Sequence, residues 1–163
     1  MRKLLFLAAV AATFGVTADR AEAQPTEAFA TATLTVGSLL FVNIDVAALD
    51  FAPTSTDFST GSLGGVSNQV ATKGNVPYEL TIEAEDDNFV YAGLLTPPAK
   101  PSTELRWSAN GGAFTGLTNA AQEVDAFVPG QYTTNMSYEV ELQWDEDLEG
   151  IYTLPIKYTV VAQ

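Results

Sequence analysis

The stretch Met136-Ser137-Tyr138-Glu139-Val140-Glu141-Leu142-Gln143-Trp144 decides the fold. Met136, Tyr138, Val140, Leu142 and Trp144 alternate with Ser137, Glu139, Glu141 and Gln143. A period of two puts the apolar set on one face of an extended strand and the polar set on the other. A helix would bring i and i+4 together while sending i+2 to the far side, scattering both sets. Downstream, Tyr152, Leu154, Ile156, Tyr158 and Val160 repeat the pattern against Thr153, Pro155, Lys157 and Thr159. Upstream, Val76, Tyr78, Leu80, Ile82 and Ala84 do so against Pro77, Glu79, Thr81 and Glu83.

Weaker strands are predicted over 31–36, 40–46, 66–72, 104–108, 114–117 and 123–128. Between them lie turn residues: Gly61, Gly64-Gly65, Gly74-Asn75, Pro97-Pro98, Asn110-Gly111-Gly112, Pro129-Gly130 and Glu149-Gly150. No helical stripe stands out beyond the N-terminal segment. Short antiparallel strands with one polar face each imply an all-β fold, a single two-sheet β-sandwich, with a closed barrel as the alternative. Pro77 and Pro155 each remove a ladder donor, which predicts an edge position or a bulge in their strands. The chain from residue 135 onward reads as a long final hairpin turning at 145–150, with Gly150 supplying an unusual backbone angle. In that reading Trp144 points inward with Tyr138 and Leu142.

The chain has 163 residues and begins with Arg2 and Lys3, an apolar run over 4–16, and then Ala21-Glu22-Ala23. A basic start, a short apolar stretch and an A-x-A site form a helical secretory signal peptide, residues 1–23, with cleavage after Ala23 and Ala18 as the lesser site. A membrane-spanning helix needs about 20 apolar residues, more than this run supplies before Asp19 and Arg20. The mature domain, 24–163, then retains Lys73, Lys100, Arg106 and Lys157 against 18 acidic residues, a net charge of −14. That charge argues against nucleic-acid partners, whose phosphates require a basic surface. With no second apolar span, no membrane association is expected after cleavage. The expected location is outside the inner membrane: secreted, on the cell surface, or in the periplasm.

The chain contains no Cys and no His. Disulfides, thiol nucleophiles, lipid-anchored cysteine, imidazole bases and conventional zinc sites are therefore absent from its chemistry. Paired carboxylates can hydrolyse glycosides, but 18 acids in one small domain make chance pairs unavoidable. No positioned acid–base constellation is visible, so a non-enzymatic protein without a cofactor is expected.

Several segments resemble small secreted bacterial β-sandwich proteins of the fimbrial-subunit and Ig-like surface-protein kind. A Thr/Ala-rich segment opens the mature chain at 28–36, and Leu49-Asp50-Phe51 follows where such domains often carry Leu-Asp-Phe-Gly. Asn75-Val76-Pro77-Tyr78-Glu79-Leu80-Thr81-Ile82 is similar to a recurring strand of theirs. Glu149-Gly150-Ile151-Tyr152-Thr153 with Tyr158-Thr159-Val160 is similar to their final strand, and the segment from Lys100-Pro101 through Leu105, Trp107 and Asn110-Gly111-Gly112 resembles parts of other exported proteins. Here Ala52 stands where that motif has Gly, and the cysteine pair of many chaperone-assembled pilins is missing. The resemblance implies a structural or surface role.

Three constellations are candidates for function. Ala28, Ala30, Ala32, Leu34 and Val36 alternate with Phe29, Thr31, Thr33 and Thr35, forming a strand able to complete a neighbour's sheet. The plainer expectation, and the favoured one, is that it is the first strand of its own sandwich. Partners on the first reading are other copies of the chain or other surface proteins.

Hard oxygen ligands gather at Glu83, Glu85, Asp86 and Asp87 and again at Asp145, Glu146, Asp147 and Glu149. The weak Ca²⁺ candidates are Glu85, Asp86, Asp87, Asp145, Asp147 and Glu149. The second group resembles the start of an EF-hand loop, but Ile156 occupies the position of its closing acid. A solvated acidic turn is the plainer expectation. Finally, Trp107 and Trp144, with Tyr91 and Tyr132, are candidates for stacking on sugar rings, although core packing is the usual fate of tryptophan on an apolar strand face. The leading expectation is thus a secreted non-enzymatic structural or surface subunit, with self-assembly through its N-terminal strand as its finer form; the alternative is an extracellular binding module for glycan or Ca²⁺.

Overall fold

A computed structural model of the chain describes residues 31–163. The signal segment 1–23 and positions Ala28 and Ala30 lie outside the described residues. The compact unit Val36–Gln163 contains ten strands: β1 (Leu40–Ile44), β2 (Ser62–Gly74), β3 (Tyr78–Ala84), β4 (Val90–Ala92), β5 (Leu105–Ala109), β6 (Thr115–Gly116), β7 (Gln122–Phe127), β8 (Gly130–Glu141), β9 (Ile151–Thr153) and β10 (Ile156–Ala162). A short helix, α1 (Ser55–Thr60), and a 3-10 turn at Ser102–Glu104 join them.

The all-β expectation holds. One sheet has the order β1-β2-β8-β5-β6 and the second β10-β3-β7, while β4 and β9 form a separate ribbon. All pairings are antiparallel. The alternation of β8 and β3 has the predicted consequence. Met136 and Tyr138 from one sheet, and Leu80 and Ile82 from the other, are fully buried in one core with Val70 and Leu117. Each such side chain contributes about 1.5–3 kcal/mol relative to exposure.

The longest pairing, β2 with β8, runs from Gly74 opposite Gly130 to Ser62 opposite Glu141. Its register shifts between Leu63 and Val66, where Gly65 adopts φ 88°. The Gly64-Gly65 pair therefore marks a bulge inside a strand rather than a turn between strands, because a residue with positive φ is tolerated there only as glycine.

Four expectations need correction. The final hairpin does not form: β8 pairs with β2 and β5, whereas β10 pairs with β3 in the opposite sheet. Alternation specifies which face is buried but not which strand lies alongside. Pro155 divides the predicted last strand into β9 and β10, and β10 is the edge strand expected of it, whereas Pro77 precedes β3, a central strand. Each proline thus falls just outside a ladder it could not complete.

Trp144 is not in the core but 62% exposed. Strand pairing of β8 ends at Glu141, so the alternation beyond it no longer refers to a sheet. Gly150 lacks a positive φ; its missing Cβ leaves room for the Tyr91 ring, whose hydroxyl donates to the Glu149 carbonyl at 2.7 Å.

Helix α1 was not anticipated, since it has no apolar stripe and buries no residue. Its local signal is Thr54-Ser55-Thr56-Asp57: the Thr54 N–H donates to Asp57 Oδ2 at 2.7 Å, and Gly61 closes the helix at φ 84°.

Candidate functional site

The two sheets close tightly along β3, β5 and β8 but not along β1 and β10. Each of these two is the terminal strand of its sheet, and they lie near one another. Each therefore presents one side of its backbone ladder without a strand neighbour among the described residues. Their inward side chains are only half-buried: Leu40, Val42 and Ile44 on β1, and Ile156, Tyr158 and Val160 on β10.

Between the edges runs a groove. One section, about 540 Å³, is lined by Ile44, Leu49, Phe51, Leu154, Ile156 and Tyr158. It continues as a shallower section of about 390 Å³ over Val42, Ile44, Ile156 and Tyr158. Leu49 and Phe51 belong to the Leu-Asp-Phe segment, which thus contributes to the wall.

The groove has a polar anchor among its apolar walls, with Asp50 and Thr153 also on its lining. Buried Asn68 accepts from the Tyr138 hydroxyl at 3.2 Å and from the Tyr158 hydroxyl at 3.5 Å, and its amide donates to the Val46 carbonyl at 3.4 Å. The two tyrosine hydroxyls also hydrogen-bond to each other. Burial pushes the Tyr158 hydroxyl up to about 12, with the Asn68 hydrogen bond opposing that shift.

The first strand expected from sequence, at 28–36, lies partly outside the described residues. Among the described residues 31–36 no strand is formed, and Ala32, Leu34 and Val36 are exposed. Asn75 holds the chain ahead of β1: its side chain accepts from Leu39 N and donates to the Gly37 carbonyl, both at 2.7 Å.

The acidic candidates are dispersed. Among the described residues, no three acidic side chains converge on a metal-sized point. Glu85, Asp86 and Asp87 are exposed after β3. Asp145 and Glu149 are exposed, whereas Asp147 turns inward, with Oδ1 2.8 Å from Lys100 Nζ and Oδ2 accepting from Gln143 N at 2.8 Å.

The aromatic candidates are also separated. Trp107 is buried, its Nε1 donating to Gln122 Oε1 at 3.4 Å. Tyr132 stacks on Phe127 at 4.5 Å, and Tyr91 packs on Tyr152 at 5.0 Å. Only Trp144 offers an open ring, packed at 4.7 Å on Phe58 beside a second groove of about 650 Å³.

Sequence reading missed the groove walls. Their signal was present as alternating apolar residues in 40–46 and 152–160, but nothing local distinguishes an edge strand facing an opening from one facing a core. No family model matches the chain, and no curated protein matches it in sequence. Among solved structures, the chain is similar to one from a chaperone-usher pilus described in terms of rod uncoiling. The identity is 11%, the TM-score 0.47, and the match covers 87% of this chain and 97% of that one.

Proposed function

We propose that the protein is an exported structural subunit in which the N-terminal strand of one copy, residues 28–36, adds to the β1–β10 groove of the next. The observation that carries this reading is a groove between two open sheet edges, together with an alternating segment whose described part, residues 31–36, forms no strand. Backbone hydrogen bonds to an open edge supply affinity in such additions, and alternate side chains entering pockets supply register. Ala28, Ala30, Ala32, Leu34 and Val36 provide a small-to-medium apolar face suited to a shallow bed lined by Ile44, Phe51 and Ile156. Because donor segment and acceptor groove are different surfaces, the contact is heterologous and generates an open chain of subunits.

Native mass spectrometry and electron microscopy of the exported protein test this directly. The expected result is a ladder of oligomers or fibres, abolished by Ala32→Asp in the donor or Ile156→Lys in the groove while the circular dichroism of the fold persists. Wild-type protein that stays monomeric at high concentration would overturn it.

A second reading has one specific observation in its favour: the exposed Trp144 ring beside the 650 Å³ groove. An aromatic face at a groove suits a sugar ring. Polysaccharide binding lost in Trp144→Ala, with self-assembly intact, would support that function.

A further inference from the structure

Lys100 is one of the four basic residues in 24–163, and it is buried. Its Nζ lies 2.6 Å from Glu104 Oε2 and 2.8 Å from Asp147 Oδ1, and donates to the Glu141 carbonyl at 2.8 Å. The side chains of Lys100, Glu104 and Asp147 are only 6%, 16% and 7% exposed. The Phe89 ring centroid is 5.9 Å from Nζ, and Leu142 and Tyr152 line the adjoining groove. A surface ion pair needs neither such burial nor a second carboxylate.

We propose that Lys100 and Asp147 become joined by an amide bond formed within the folded chain, with Glu104 carrying the proton. Two features suit that chemistry. The amine and carboxyl groups are already in contact, so the reaction is unimolecular and avoids the entropic cost of encounter. The Gln143 N–H donates to Asp147 Oδ2, the oxygen on which negative charge develops during attack.

A proton passes from the Lys100 ammonium to Asp147 Oδ1, leaving an amine and a carboxylic acid. The Nζ lone pair then forms a bond to Asp147 Cγ. Glu104 takes one proton from the nitrogen and delivers it to the Oδ1 hydroxyl, which leaves as water when the Cγ–Oδ1 bond breaks. Oδ2 remains as the amide carbonyl, and Glu104 ends as it began, a carboxylate. No oxidant or cofactor is required. The bond ties the segment before β5 to the loop after β8, a covalent tie in a chain that has no cysteine for a disulfide.

Intact mass spectrometry of the purified, exported protein tests the proposal. The wild-type chain is expected to weigh one water less than its sequence requires, about 18 Da, as a covalent modification does. Fragmentation is expected to locate the junction between Lys100 and Asp147. Lys100→Arg and Asp147→Asn in one chain, and Glu104→Gln in another, are expected to show full mass, with circular dichroism verifying that each is folded. A wild-type chain of full mass overturns the bond, and a folded Glu104→Gln chain that still loses water overturns the role of Glu104. If the variants do not fold, the wild-type mass alone decides.

Discussion

The two long sides of this sandwich are built from similar sequence and end in different states. Along β3 and β8, every second side chain reaches the interior, and Leu80, Ile82, Met136 and Tyr138 lose all exposure. Along β1 and β10 the alternation is equally regular, yet Ile44, Ile156 and Tyr158 remain half-covered and line a groove. The difference lies in their neighbours. Strands β3 and β8 are flanked on both sides, whereas β1 and β10 each end a sheet. The closed side holds the fold together; the open side is the part that a further strand would finish.

The largest effect expected from this contrast is on the closed side. Leu80→Ala removes a fully buried side chain between the sheets, and the loss is expected to be about 2–5 kcal/mol in a denaturant titration. A loss below 1 kcal/mol would show that the closed side is no better packed than the open one.

The next effect is pH-dependent and belongs to the groove. Tyr158 is raised from 10.0 to about 12, first by burial. A folded-state value above the unfolded one means that its contribution is complete below pH 10 and is lost as pH rises toward 12. The span amounts to about 2–3 kcal/mol. Tyr158→Phe is expected to flatten the fall in stability over that window; an unchanged slope would place its cause elsewhere.

On the open side, Ile156→Ala is expected to cost about 1–2 kcal/mol, less than Leu80→Ala because the side chain is only half-buried. It should nevertheless weaken self-assembly more than Leu80→Ala does in a concentration series. The reverse ranking would separate assembly from the groove.

The smallest effect is on the surface. Lys157 and Glu83 approach to 2.6 Å, but the lysine is half-exposed and solvent screens the pair. Lys157→Met is expected to leave the melting temperature unchanged, and a clear fall would indicate that β10 depends on this pair more than on its apolar face.

Much of this contrast was legible in the sequence. The strand faces of β3 and β8 followed from alternation, since burial of one face imposes period two. Partner choice was not legible: Tyr138 and Tyr158 repeat the same pattern, yet they belong to strands in opposite sheets. Trp144 failed for a related reason, because its alternation continued after the pairing stopped. The Lys100–Glu104 spacing was visible as four residues, but Asp147 reaches Lys100 only through the fold. The groove itself depends on which strands end their sheets, a property that no single segment encodes.

The absence of cysteine gives the central claim a clean test. Two folded single-cysteine variants, Ala32→Cys in the donor segment and Ile44→Cys in the groove wall, are mixed and oxidised. If residues 28–36 of one copy occupy the β1–β10 groove of another, the expected product is a disulfide-linked dimer containing both variants. It should form faster than with a control cysteine at exposed Glu123, away from the groove. Equal rates at the groove and control positions would contradict strand exchange at this groove.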